Sequence, residues 1–374
     1  MKIEPEFFKK PVKPSKVNIN YFFMWMLVFI PLSIALKVLN YNGTLIFVTS
    51  ILALVSIARY LGKATEQISI QTNNTIGALL NATFGNIIEL IIAILAISRG
   101  YFELVQASIV GSIMGNILLL VGLSIFFGGL KFTEQKFNKQ AAGVSSTMLI
   151  ISVVGLSVPT LFAYLPTMGS SQPRVESILT LSLLLSGILA LVYIAGLLFT
   201  LFTHKHLFDI TDEYAEEHIK PEWTRRFASI VLFVFTLFAA IESEFLISTV
   251  SHVSESIGLS QTFIGIVIVA IITNIAEKSA AITMALKNKI SLSIEIGTSS
   301  AIQIALFVVP ILVFVSTFIL HKPFMVLFSF FQIIAMIFAV MIVNYLSSDG
   351  RCNWLEGLQL VSVYLILAVA FYFV

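Results

Sequence analysis

The stretch Asn73–Ile97, NNTIGALLNATFGNIIELIIAILAI, decides how the chain is read. A bilayer core of ~30 Å needs about 20 residues of helix, and this segment is long and apolar enough to cross it. Asn81, Asn86 and Glu89 nevertheless stand in its middle. A carboxylate at that depth costs roughly 2.5–3.5 kcal/mol on insertion scales, so an ionisable residue there marks a functional site by default.

Composition places the rest of the chain in the same environment. Of 374 residues 58% are hydrophobic and 11% charged, with a mean hydropathy of +0.98, against roughly a quarter charged in soluble domains. The expected class is an all-α integral membrane protein in contact with the lipid bilayer. A net charge of +2 is too small to point to nucleic acid. The single cysteine, Cys352, forms no internal disulfide and excludes a Cys-based metal or redox cluster. The opening MKIEPEFFKKPVKPSKVN is basic, runs into an apolar segment without a small-residue cleavage site, and reads as a retained cytoplasmic tail.

Eleven apolar segments follow, at roughly 21–39, 43–62, 74–98, 104–128, 141–162, 178–203, 227–250, 261–286, 291–316, 324–346 and 354–373. An odd number puts the termini on opposite sides. With the N-terminus inside, 17 of the 22 Lys and Arg residues are cytoplasmic, while Arg99, Arg174 and Lys322 lie outside. The positive-inside bias therefore predicts N-in, C-out.

The longest interruption, HKHLFDITDEYAEEHIKPEWTRR at 204–226, separates six segments from five. Treating residues 1–40 as a tail and tether helix leaves two five-helix units, 41–203 and 227–374, around an acidic cytoplasmic linker. An odd number of helices per unit forces opposite orientations, the arrangement of inverted-repeat transporters. The sequence supports the pairing. Ile76-Gly77 leads to Asn86 and Glu89 just as Ile264-Gly265 leads to Asn274 and Glu277, without a gap, and Ser112/Asn116 correspond to Ser299/Gln303. Asn81 has no such counterpart, because Val269 holds its place.

Residues three or four apart share a helix face, so Glu89, Asn86, Glu277, Asn274, Ser112, Asn116, Ser299 and Gln303 form four polar faces that can converge at mid-depth. The set is all oxygen and amide, with neither His nor Cys, which suits a hard cation such as Ca²⁺ held chiefly by Glu89 and Glu277. Gly85, Gly111, Gly115 and Gly297 permit close backbone approach or broken helices, and Gly111/Gly115 equally form a plain small-xxx-small packing pattern. Two carboxylates in one dehydrated pocket repel each other, so an empty pocket takes up protons and metal competes with them. That competition is the basis of exchange by alternating access.

At these residues the chain also resembles a known family. NATFGNIIEL is similar to the first signature repeat of the calcium/cation antiporter superfamily, in its H⁺/Ca²⁺ exchanger branch, and TNIAEKSAAITMALKNK with IGTSSAIQIALFVVP to the second. The Na⁺/Ca²⁺ branch typically carries Ser-Pro-Glu where this chain has Asn-Ile-Ile-Glu and Asn-Ile-Ala-Glu, which favours protons as the counter-ion. The resemblance implies that Glu89 and Glu277 are the central cation carboxylates, with Asn86, Asn274, Ser112, Asn116, Ser299 and Gln303 around them. The leading expectation is export of cytosolic Ca²⁺ driven by an inward proton gradient, with Ca²⁺ and H⁺ as substrates and no resident cofactor. Two positions depart from it: Thr273 stands where the family has Gly, and Lys278 where it has His. An ammonium beside Glu277 either repels a divalent cation or, about 100° round the helix, snorkels or pairs elsewhere.

Other readings stand beside these. Each buried carboxyl can instead be neutral and hold helices together, and the Asn residues can be interhelical glue. Glu244 and Glu255, eleven apart, line an outer access path in one reading and mark a helix end and a loop in the other. Asp209, Asp212, Glu213, Glu216 and Glu217 form either a Ca²⁺-sensing acidic patch or a solvated linker; they lack EF-hand spacing. A Na⁺- or K⁺-coupled exchanger and a passive cation channel are the competing transport functions. An enzyme is not expected, since no HExxH or Ser/His pair is present and all five His fall in or near loops. Short tails and compact loops suggest a prokaryotic plasma membrane.

Overall fold

The computed structural model describes residues 19–72, 74–165, 175–208 and 221–373. The tail before Ile19 and the acidic patch Asp209–Glu217 lie outside the described residues. In chain order the helices are α1 (Ile19–Met26), α2 (Phe29–Val38), α3 (Gly43–Ile70), α4 (Asn74–Phe84), α5 (Ile87–Ser98), α6 (Phe102–Lys131) and α7 (Lys139–Tyr164). They continue with α8 (Val175–Thr203), α9 (Arg225–Ile257), α10 (Gln261–Thr273), α11 (Ile275–Leu286), α12 (Ile290–Phe318), α13 (Phe330–Leu346) and α14 (Trp354–Tyr372). Seven of these, α3, α6, α7, α8, α9, α12 and α14, are long and apolar enough to cross a membrane, and α10 with α11 makes an eighth as one bent span. Phe22–Val38, α5 and α13 are shorter apolar helices.

Local sequence sets the helix ends. Asn42 accepts from the Thr44 N–H at 2.8 Å to open α3, and Ser329 with Gln332 and Asn353 with Glu356 form capping boxes at α13 and α14. The segment expected at 43–62 continues as helix to Ile70. Among the described residues there is one small exception to an all-α chain, a two-residue antiparallel ladder pairing Gln135 with Cys352 and Lys136 with Arg351.

Helix α6 is the centre of the bundle. Its apolar window is 83% buried, against 28% for the windows of α8 and α14, whose Leu184, Leu191, Ile366 and Val369 form part of an outward apolar surface. Where α6 crosses α10, Gly111 rests directly on the Ile266 backbone and Gly265 on the Leu104 carbonyl, so a Cβ at either would overlap main chain. This crossing brings the two polar helix faces together. Helix α9 packs along α3, and the Pro221–Thr224 segment before it is fixed to the end of α3. Gln67 Oε1 accepts from the Glu222 and Trp223 N–H groups at 2.7 and 3.1 Å, and Lys63 pairs with Glu222 at 2.6 Å.

Candidate functional site

The site is built on two helix interruptions. Helix α4 ends at Phe84, Gly85 and Asn86 form a turn, and α5 begins at Ile87, which puts Glu89 in the first turn of α5. Helix α10 ends at Thr273, Asn274 is the junction, and α11 begins at Ile275 with Glu277 in its first turn; the axis bends by 59° there. Each Glu thus stands at the N-terminal end of a short helix, where the unsatisfied N–H groups and the helix dipole favour negative charge. Helices α6 and α12 pass beside the two breaks. Each carries a π-helical turn, Gly115–Leu120 and Ile304–Val308, immediately after or around its amide residue, Asn116 or Gln303. Such turns widen the helix and often lie at functional sites.

Six of the eight expected cation residues are joined directly or through a common partner. Asn86 Nδ2 donates to Gln303 Oε1 at 2.8 Å. Asn274 Nδ2 donates to Ser112 Oγ at 3.3 Å and Asn116 Nδ2 to Asn274 Oδ1 at 3.3 Å, so three residues from both halves share one buried amide network. Asn116 Nδ2 also donates to Ser300 Oγ at 2.8 Å, and that hydroxyl lies beside Glu277. Glu89 is only 6% exposed and neither of its carboxyl oxygens accepts a hydrogen bond. The nearby Thr273 hydroxyl donates to the Val269 carbonyl at 3.1 Å instead. Glu277 Oε2 is likewise buried and unpartnered, as is Asn116 Oδ1. Buried acceptors without donors are costly unless a proton or cation fills the site. Glu89, Glu277 and the Lys278 ammonium lie within electrostatic range of one another.

A cavity of about 230 Å³ leads to this point. Its walls include Glu277, Thr273, Ser299, Ser300 and Gln303 from the second half and Asn81, Phe84, Gly85 and Ile88 from the first, with Arg59, Lys63 and Glu66 of α3. Glu277 therefore borders an open volume while Glu89 sits behind it. Among the described residues no three His, Cys, Asp or Glu side chains converge. A cation here would be held by two carboxylates completed by amide, hydroxyl and backbone oxygens.

The structure also places residues that sequence reading left aside. Asn81 lines the cavity. Ser300, next to the expected Ser299, makes the contact to Asn116. Lys278 is 6% exposed and does not snorkel; its Nζ donates to the Ala270 and Ile271 carbonyls at 3.2 and 3.5 Å. Glu242 of α9 is fully buried away from the breaks and accepts from Ser33 Oγ at 2.5 Å. Its signal in the sequence was an acid within an apolar run, one helical position from a Ser. Glu244 pairs with Arg99, Glu255 is exposed near the end of the same helix, and neither lines the cavity.

With this geometry in hand, the chain can be set beside known proteins. The family model described as sodium/calcium exchanger protein matches residues 42–202 and 227–373. The chain is 39% identical over 353 residues to a Ca²⁺/H⁺ antiporter, ChaA, of Bacillus subtilis, covering 94% of this chain and 98% of that protein. It is 38% identical over 370 residues to a Ca²⁺/H⁺ antiporter of Synechocystis, covering 94% and 97%. The solved structure of native YfkE superimposes with a TM-score of 0.81 at 37% identity, covering 94% of this chain and all of that one. The H⁺/Ca²⁺ exchanger CAX, at 12% identity and a TM-score of 0.70, shares the fold. On a match that spans both halves and leaves out only the segment between them and the two ends, the chain belongs to the sodium/calcium exchanger protein family.

Proposed function

We propose that this chain is a secondary antiporter that moves Ca²⁺ out of the cytoplasm in exchange for protons by alternating access. The observation that carries the reading is the pair of buried carboxylates, Glu89 and Glu277. They stand in the first turns of two matching broken helices, with both Glu89 oxygens and Glu277 Oε2 accepting no hydrogen bond and a cavity reaching Glu277. Ca²⁺ takes 6–8 oxygens, and Asn86, Asn274, Ser112, Asn116, Ser299 and Gln303 surround the pair. Either a dehydrated Ca²⁺ or protons neutralise the two carboxylates, and an empty pocket leaves them opposed, so only loaded forms cross easily. The relatives named as Ca²⁺/H⁺ antiporters support this choice of ions.

In this reading the chain has eleven spans: the eight long ones, counting the bent pair once, and three shorter apolar helices. A tether helix precedes two five-helix units in opposite orientation, 41–203 and 227–374, and the N-terminus is cytoplasmic with the C-terminus outside. The Bacillus relative favours a prokaryotic plasma membrane. The cavity end at Arg59 and Lys63 then faces the cytoplasm, and Glu244 and Glu255 lie toward the outside. The linker acids Asp209, Asp212, Glu213, Glu216 and Glu217 are a Ca²⁺-collecting patch at most.

The test is uptake by purified protein in sealed vesicles. ⁴⁵Ca²⁺ should accumulate when a pH gradient is imposed, and should stay out when a Na⁺ or K⁺ gradient replaces it. Accumulation driven by Na⁺ or K⁺ alone would assign a different counter-ion. Currents far above transporter turnover would make the protein a channel.

A further inference from the structure

At the end of helix Gln261–Thr273 the main chain is incompletely paired. The Asn274 N–H turns back to the Ile272 carbonyl, so the Ala270 carbonyl lacks its usual helical donor. Carbonyls at a helix C-terminus carry the negative end of the dipole. Within a membrane span such carbonyls need a donor from the protein itself. In broken-helix transporters such ends are where a small cation sits. In this chain the end is already filled. The Lys278 ammonium, only 6% exposed, donates to the Ala270 carbonyl at 3.2 Å and the Ile271 carbonyl at 3.5 Å, and Asn274 Nδ2 adds a bond to Ala270 at 3.1 Å. Among the described residues no carboxylate lies within ion-pair distance of Lys278. Its anchor is the main chain, which does not change when Glu277 gains or loses an ion.

We propose that Lys278 is a resident cation of the site: its ammonium occupies the carbonyl end of the broken helix in place of a small monovalent ion, and so limits the site to one exchanged ion. The two halves differ in this. The residue after Glu89 is Leu90, buried and uncharged, so the ammonium belongs to the second break and has no counterpart at the first. Gly115 of the neighbouring helix lies beside the ammonium, where a Cβ would stand 3.7 Å from Nζ, an ordinary contact. Lys278 is a positioning residue for the helix end. It also places a fixed positive charge near the two carboxylates, which acts twice as strongly on a divalent as on a monovalent ion. The proposal deepens the exchanger reading and rests on it for the identity of the exchanged ion. The monovalent-ion measurement below does not depend on that identity.

The experiment uses the full chain in detergent, prepared in choline chloride, with wild type, Lys278→Ala and Lys278→Met compared. Equilibrium dialysis with ²²Na⁺ should find saturable binding to Lys278→Ala and none to wild type up to tenfold above the variant's Kd, because the shortened side chain vacates the carbonyl end. Lys278→Met keeps the volume filled but removes the charge. It should bind no more ²²Na⁺ than wild type, while Ca²⁺ affinity by titration calorimetry rises about tenfold. A monodisperse Lys278→Ala protein that binds no more ²²Na⁺ than wild type overturns the proposal. If Lys278→Ala is not folded in choline chloride, preparation in NaCl or ethylammonium chloride decides: recovery of a monodisperse species supports the proposal and no recovery overturns it. Failure of wild type to bind or transport Ca²⁺ counts against the exchanger reading alone.

Discussion

Glu89→Gln is the sharpest test of the site, because the substitution keeps the shape and removes only the charge. Both Glu89 oxygens are buried and accept no hydrogen bond, so an amide gives up no contact that the fold uses. A Ca²⁺ bound at about 2.4 Å would gain roughly 14 kcal/mol of gross attraction from that carboxylate at an effective dielectric of 20, nearly all of it spent replacing hydration. Removing one partner of a buried charge pair costs ~2–5 kcal/mol net. That is roughly a 30- to 4,000-fold loss of Ca²⁺ affinity. Calorimetry on detergent-purified protein should show this loss, and ⁴⁵Ca²⁺ uptake into vesicles should fall to background. In ion-free buffer the melting temperature should stay level or rise, because a neutral amide is cheaper to bury than a carboxylate. The reasoning fails if Ca²⁺ affinity stays within threefold of wild type. It also fails if the melting temperature drops by more than about 5 °C, roughly a 4 kcal/mol loss for a chain of this length, since Glu89 would then be holding helices together.

Three further outcomes follow from the same geometry. Gly111→Val puts a side chain against the Ile266 backbone, and neither main chain can yield, so stability should fall by ~1–3 kcal/mol or more with transport reduced, read by thermal melting and vesicle uptake. Gln67→Ala removes the acceptor for the Glu222 and Trp223 N–H groups, and amide exchange in 221–224 should speed up about tenfold, for a bond worth roughly 1.4 kcal/mol. Burial, with Glu356, Asp349 and Glu134 nearby, pushes the Cys352 thiol up to about 12. Maleimide labelling of the folded protein at pH 8 should therefore be slower by roughly three orders of magnitude than in denaturant, and should quicken only as pH approaches that value.

The parts of the fold visible in the sequence were those with a strong local signal. Apolar length set the segments, and Gly85, a poor helix former, was one of four glycines that permitted a break; the segment at 74–98 read as one span, and the structure interrupts it between Phe84 and Ile87. Glu89 and Glu277 stood out because acids in apolar runs are rare. The second break was less visible, because Thr273 and Asn274 weaken a helix only modestly. Rotation about a helix was harder still. Ser299 and Ser300 differ by about 100°, and it is Ser300 that meets Asn116, a choice set by how α6 and α12 are rotated against each other. Sequence offered Lys278 two destinations, repelling a divalent cation or turning to another helix face; the ammonium bonds main-chain carbonyls that exist only because the helix breaks. The pairings of Glu244 with Arg99 and Glu242 with Ser33 join segments more than 140 residues apart, and no local pattern encodes them.

The cavity reveals an asymmetry that bears on how such a protein turns over. It reaches Glu277, Ser299 and Gln303 from the Arg59 and Lys63 end, while Glu89, Ser112 and Asn116 are buried behind it, closed off where Gly111 rests on Ile266. If the two units exchange conformations, the second group takes the exposed place of the first, and the α6–α10 crossing is what must loosen. The two mouths would still differ in chemistry. Asn81 lines the open one, but its counterpart Val269 is apolar; Lys278 brings an ammonium to one helix end, but its counterpart Leu90 is uncharged. A structural difference between two states changes the relative populations of those states and the barriers between them, but the balance reached by two exchanging ions depends only on their gradients. Asymmetry of this kind would therefore make loading and release proceed at different rates and affinities on the two faces, and would leave the direction of net Ca²⁺ movement to the electrochemical gradients of the two ions.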